Sequence, residues 1–275
     1  MRPASFRLAL LAAGALACLP AHAHRAWLLP SATLAEGAAP VVSIDAAISE
    51  DLFEFDAFPL ALDTLRVTAP DGSAVAPDAR IEAKRRVSFD VKLVQKGTYR
   101  IAGVTDTATA SWKVGGETKR WRGAPAALAT EVPADAPDLQ VSRQLARAET
   151  FVTHETPGPL ADAISGAGLE LQPLTNPTDL SVGDTSRFRV LLDGKPYANA
   201  DVTLIRGGNR YRYRIGELAL KTDVAGEFGV AWPEAGRWWM GITHGGRGPG
   251  AGAPAPGGAP VRRESYSATF EVLPR

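Results

Sequence analysis

Four histidines and one cysteine are the imidazole and thiolate ligands available to this 275-residue chain. Two of the histidines flank Ala23 in "LACLPAHAHRAWLLPS", residues 16–31, while His154 and His244 close the stretches "ETFVTH" and "WWMGITH". The setting of the first pair matters. Residues 1–23 read as a secretory signal: Arg2 and Arg7 open it, Leu8 to Leu16 form its apolar core, and Ala21-His22-Ala23 is a small-x-small cleavage site. Cleavage after Ala23 makes His24 the first residue. Cleavage after Ala21, disfavoured by Leu19 at position minus three, makes it His22. Either way the mature chain begins with a histidine, which can chelate a metal through its α-amine and Nδ1 in one ring, two ligands from a single residue.

That chemistry is selective. Cys18, the only cysteine, leaves with the signal, so any metal site must use nitrogen and oxygen. Lipidation on Cys18 is a third route, although in Ala15-Leu16-Ala17-Cys18 the leucine falls one position late for a lipobox. Nitrogen donors favour Ni(II) or Cu(II) over calcium and magnesium. If the cut falls before His22, the His22-Ala23-His24 tripeptide could add two deprotonated backbone amides and make a square-planar site.

His154 and His244 are metal-ligand candidates because both end strands, where a ligand can face a cleft. A strand-end histidine is more commonly a half-exposed hydrogen-bonding residue. Glu50, Asp51, Glu54 and Asp56 in "SEDLFEFDAF" lack the spacing of a calcium loop and read first as solvated charges, with one of them free to complete a histidine site as a carboxylate. Trp27 reads first as a core residue, as each tryptophan does, with packing over an N-terminal metal site as the alternative. Trp238 and Trp239, adjacent in a strand, must point to opposite faces, one into a core. "IRGGNRYRYR" reads as a strand with Arg210, Arg212 and Arg214 on one face, a stripe for an anionic partner or a solvated edge. No Gly-x-Ser-x-Gly elbow, His-Glu-x-x-His pair or phosphate loop occurs, so the chain reads as a non-enzyme.

The elements that position these residues are short and β-rich. Ser88, Asp90 and Lys92 alternate with Phe89, Val91 and Leu93, the period of two of a strand with one wet face. Five or six such runs in residues 24–123 predict an antiparallel β-sandwich. Residues 124–168 read as a connector, partly helical over Asp138 to Ala148, that ends in a strand at "ETFVTH". Residues 169–275 predict a second sandwich, with the low-complexity segment 245–260 as a hairpin loop. The 27 glycines and 21 prolines fit this all-β reading. Loss of Arg2 and Arg7 from a chain with 30 basic and 30 acidic residues leaves a slight acidic excess, which argues against nucleic acid. The signal's apolar run is too short to span a bilayer, so no stable membrane insertion is expected.

In the second unit, "GKPYANADVTL" followed by "KTDVAGEFGVAWPEAGRWWMGI" resembles small immunoglobulin-like domains of cell-surface and periplasmic proteins. Over the whole chain, "AHAHRAWLLPS", "SEDLFEFD", "AETFVTHETPGP" and that second unit resemble the DUF4198 family of exported bacterial proteins, some of them associated with nickel or cobalt uptake. The resemblance implies a periplasmic, metal-related protein with an important mature N-terminal histidine. The expected function is therefore capture of nickel or cobalt, with copper next, by His24, assisted by His154 and His244, and transfer to a membrane uptake transporter. The alternative is an adhesion-type module that presents loops to a protein or glycan without metal.

Overall fold

The computed structural model describes residues 24–158, 160–245 and 260–275. The expected signal, residues 1–23, and all but the ends of the expected hairpin loop, residues 245–260, lie outside the described residues. The described chain is all-β. Its first part contains β1 (Arg25–Pro30), β2 (Leu34–Ala35), β3 (Val41–Ser49), β4 (Phe58–Pro59), β5 (Thr64–Thr68), β6 (Ala74–Val75), β7 (Asp78–Glu82), β8 (Val87–Lys92), β9 (Gly97–Val114) and β10 (Glu117–Gly123). A single helical turn, α1 (Leu128–Glu131), leads into β11 (Gln140–His154). The remainder comprises β12 (Leu169–Pro173), β13 (Thr185–Leu192), β14 (Lys195–Pro196), β15 (Asp201–Arg206), β16 (Leu218–Lys221), β17 (Glu227–Ala231), β18 (Gly236–His244) and β19 (Val261–Val272). No helix among these residues is long and apolar enough to cross a membrane.

Alternation builds the strands as the sequence predicts. In β8 Val87, Phe89 and Val91 are buried and the residues between them face outward. A five-stranded sheet has the order β1-β3-β8-β7 with β4 on β3, and a four-stranded sheet has β12-β13-β14 with β17 on β13. Between them runs a ten-stranded sheet, β16-β15-β18-β19-β11-β9-β5-β6, with β10 on β9 and β2 on β11. The stretches "TYRIAGV" and "TATASWKVGG", which look like separate strands in sequence, form the single 18-residue β9.

The ten-stranded sheet serves two cores. One core joins Leu28, Ile44 and Phe89 of the five-stranded sheet to Tyr99, Ile101, Ala148 and Val152. The other joins Leu171, Phe188 and Val230 of the four-stranded sheet to Phe151, Trp238, Met240, Tyr266 and Phe270. The two sandwiches thus share one sheet and use opposite faces of it. In β11 the even residues Ala148 and Val152 enter the first core and the odd residue Phe151 enters the second.

This arrangement overturns one expectation. Asp138 to Ala148 is not helical: residues 140–154 are the strand that pairs β9 on one side and β19, in parallel, on the other. The helical part of the connector lies earlier, at Pro125 to Glu131. Residues 140–147 of this strand are half-exposed or exposed, with one face over a groove and the other over a second pocket, so neither face carries the buried apolar row that marks a period of two. The chance spacing of Leu139, Ser142 and Leu145 then suggests a helix that the sheet overrides.

Candidate functional site

The site grows from the pairing of β1 with β3. Arg25 opposes Ser49 in that antiparallel ladder, so continuing the register by one residue sets His24 against Glu50. The imidazole Nε2 of His24 lies 3.6 Å from Glu50 Oε1, with both side chains about half exposed. The His24 ring leans on Phe58, with centroids 5.7 Å apart.

The surroundings fix Glu50. Arg25 Nη1 donates to the Glu50 carbonyl at 3.2 Å, and the Arg25 guanidinium sits 5.8 Å from the Trp239 ring centre. Asp56 accepts from the backbone N–H groups of Glu50 and Asp51, at 3.1 and 3.0 Å, and so clamps the turn that follows β3. Asn209 holds the same turn from the second unit, accepting from Leu52 N–H at 2.9 Å and donating to Asp51 Oδ1 at 3.2 Å. The acidic patch thus divides: Asp51 and Asp56 shape the turn, and Glu50 faces the histidine.

Beside His24 opens a groove of about 520 Å³ over the part of the ten-stranded sheet that continues the first core's face past Ala148, where that core no longer covers it. Its floor is a field of hydroxyls, Thr105, Thr107, Thr203, Thr243, Ser265 and Ser267, and its end wall is Trp239. Trp239 donates through Nε1 to the Ala26 carbonyl at 2.9 Å. Its ring lies across Gly241, where a Cβ would come within 2.0 Å of the indole, so residue 241 must be glycine for the ring to lie flat.

The other histidines stand elsewhere. His154 ends β11 with 3% exposure, and its Nδ1 and Nε2 lie 3.1 and 2.8 Å from the carbonyls of Gln95 and Gly37. Both ring nitrogens face carbonyl oxygens, which leaves neither lone pair open to a metal. It is also six residues beyond Ala148, the last β11 residue lining the groove, or roughly 20 Å along a strand. Thr243 faces the groove, and its neighbour His244 points to the opposite face, where Nδ1 meets Tyr197 Oη at 2.9 Å. Among the described residues no three His, Cys, Asp or Glu side chains converge.

Trp27 takes the core reading rather than covering His24. It is buried in a small core with Phe53 and Phe55, and its Nε1 donates to Ser49 Oγ at 2.8 Å. A three-residue offset along a strand puts two side chains on opposite faces, and Phe58 takes the place against His24 instead. Trp238 and Trp239 divide as expected, the first 2% exposed in the second core and the second half-buried at the groove. The arginine stripe is not a strand: Asn209 to Tyr211 form a short 3₁₀ turn, and Arg212 reaches back to the Arg206 carbonyl. Sequence reasoning missed the groove, whose signal was present as Thr105-x-Thr107 and Ser265-x-Ser267, hydroxyls at the period of a strand face.

The sequence model of a family described as "Domain of unknown function (DUF4198)" matches residues 21–246. No curated protein matches. Among solved structures, a DUF4785 family protein from Legionella pneumophila aligns with 10% identity and a TM-score of 0.25, covering 78% of this chain and 50% of that one. The D0-D1 domain of intimin aligns with 11% identity and a TM-score of 0.22, over 89% of this chain and 97% of the other. Trypsin-activated alpha-2-macroglobulin from Escherichia coli aligns with 14% identity and a TM-score of 0.24, over 90% and 16%. The chain therefore spans half the length of the Legionella protein, and likenesses this low carry no functional information.

Proposed function

The chain belongs to the DUF4198 family, and from that premise we propose that its exported, mature form captures a divalent transition metal at His24. Cleavage after Ala23 in the periplasm frees the α-amine, and the amine and Nδ1 chelate Ni(II) or Co(II), with Cu(II) next. The observation that carries the reading is the orientation of the ring: Nε2 is the nitrogen turned to Glu50, at 3.6 Å. Metal-bound histidines usually give their second ring nitrogen to a carboxylate, which fixes the tautomer and strengthens the metal-bound nitrogen as a ligand. Glu50 stands beside that nitrogen, just outside hydrogen-bond range and able to close on it by a side-chain rotation, and leaves Nδ1 for the ion, so the donor set fits a nitrogen-preferring metal.

His24 supplies two donors and no cage closes around them among the described residues. Solvent or a partner would complete the coordination, which suits a cargo metal in transit to a membrane uptake transporter better than a closed structural site. No chemistry beyond binding is assigned to the protein. The experiment is calorimetric titration of Ni(II), Co(II) and Cu(II) into protein matured by its own signal peptidase, with mass spectrometry to locate the cut. A variant carrying one alanine before His24 converts the amine to an amide and should bind Ni(II) at least about 100-fold more weakly, roughly 2.7 kcal/mol. Equal binding by the extended variant would refute the chelate.

The groove favours a second reading, in which the shared sheet presents its hydroxyl floor and Trp239 to a glycan or a protein segment and no metal is required. Glycan binding that is unchanged by chelators and by the added alanine would support it.

A further inference from the structure

On the opposite face of the ten-stranded sheet, behind the groove, lies a smaller pocket of about 190 Å³. Thr68 opposes Arg100 and Arg66 opposes Ala102 in the β5–β9 ladder, while Arg147 opposes Val104 in the β9–β11 ladder. Residues two apart share a face, so Thr64, Arg66, Thr68, Arg100 and Arg147 converge, and Ser165 closes the pocket from the loop before β12.

The charges do not cancel. Glu149 and Glu170 are completely buried nearby. Arg147 serves both, with Nη1 at 3.4 Å from Glu149 Oε1 and Nη2 at 3.3 Å from Glu170 Oε1. Glu170 also accepts from the backbone N–H groups of Ser165 and Gly166, each at 2.8 Å. Glu149 Oε2 accepts from the Tyr266 hydroxyl at 2.8 Å and stands 3.8 Å from Arg100 Nη1, beyond hydrogen-bond reach. Three arginines therefore face two carboxylates that are already well served.

Arg100 is the anomaly. It is 3% exposed, its Nη2 donates to the Leu171 carbonyl at 3.1 Å, and its Nε and Nη1 have no hydrogen-bond acceptor. A buried guanidinium with two unmet nitrogens is costly, and such groups normally have an acceptor in the functional state. Arg66 stands exposed at the mouth without an ion-pair partner among the described residues.

We propose that this pocket binds the carboxylate of a small organic acid. The carboxylate oxygens meet Arg100 from within and Arg66 from the mouth, matching the planar fork that arginine offers to such groups. The remaining wall, Ala102, Val104, Leu145, Ala163 and Ala167, is apolar and takes a short hydrocarbon body, which favours an organic acid over inorganic phosphate.

The test is calorimetry on the full mature protein at low salt with propionate, butyrate, succinate and inorganic phosphate. At least one organic acid should bind more tightly than phosphate. Arg66→Gln should weaken it roughly five- to tenfold, and Ala163→Phe, which fills the pocket from a loop, should abolish it. Both substitutions lie outside the cores, so the thermal midpoint without ligand should stay where it is. Absence of any organic-acid binding at about 10 mM, tighter binding of phosphate than of every carboxylate, or binding indifferent to both variants would overturn the proposal and leave Arg100 as a structural cation.

Discussion

At the scale of single residues, the account rests on two side chains brought together by one hydrogen-bonded ladder. His24 was recognisable in sequence because the small-x-small pattern Ala21-His22-Ala23 precedes it. Glu50 was visible only as one of four acids, since nothing in "SEDLFEFD" says which of them the β1–β3 register will set opposite the histidine. Glu50→Gln should therefore weaken Ni(II) binding by roughly tenfold, the lower end for partners of a metal-bound histidine given its exposure, while leaving stability unchanged in a denaturant titration. Asp51→Asn or Asp56→Asn should act the other way round, since those acids hold the turn. A second residue-scale prediction concerns acid. Arg262 hydrogen-bonds Asp193 through both oxygens, at 2.6 Å each, and holds its carboxyl down at about 2. Because the folded state lowers this pKa, the stabilisation is complete above the unfolded carboxylate value and is lost as pH falls through that range toward 2. The pair is about half exposed, so Asp193→Asn should cost at most about 1 kcal/mol at neutral pH and nothing near pH 2, measured by urea unfolding at both.

At the scale of elements, β11 decides the architecture. Its sequence predicted a correct strand at "ETFVTH" and a helix where the strand in fact begins nine residues earlier. The signal failed over residues 140–147 because neither face there enters a core, whereas Ala148 to His154, buried throughout between the two cores, were legible as a strand. The surface-facing β8, by contrast, was legible from its alternation alone. Phe151 stacks on Phe270 at 5.9 Å and carries the second core's contact with this strand, while Val152 carries the first core's. Phe151→Ala should cost about 3–5 kcal/mol and Val152→Ala about 2–3, each read from the denaturant midpoint.

At the scale of the whole molecule, a sheet common to two cores couples them. Sequence composition and turn spacing announce two sandwiches, but the pairing of β11 with β19 joins residues more than 100 apart, and no local pattern reports such a pairing. Coupling through β11 predicts one cooperative unfolding transition, with calorimetric and van't Hoff enthalpies equal, and Phe151→Ala lowering it as a unit. Two separate transitions, with only the second moved by that substitution, would contradict a shared core strand. The same architecture places His24 at the rim of the groove on one face and the arginine pocket on the other, so a ligand in either reaches the sheet without displacing the second.

The central claim is that the mature amino terminus is itself the ligand. It is tested most directly by anomalous diffraction at the nickel edge from crystals of the mature, Ni(II)-loaded protein. The account predicts a single peak about 2 Å from both the His24 α-amine and Nδ1, with Nε2 turned to Glu50. A peak at His154 or His244, or one bonded to Nε2 with the amine free, would contradict it.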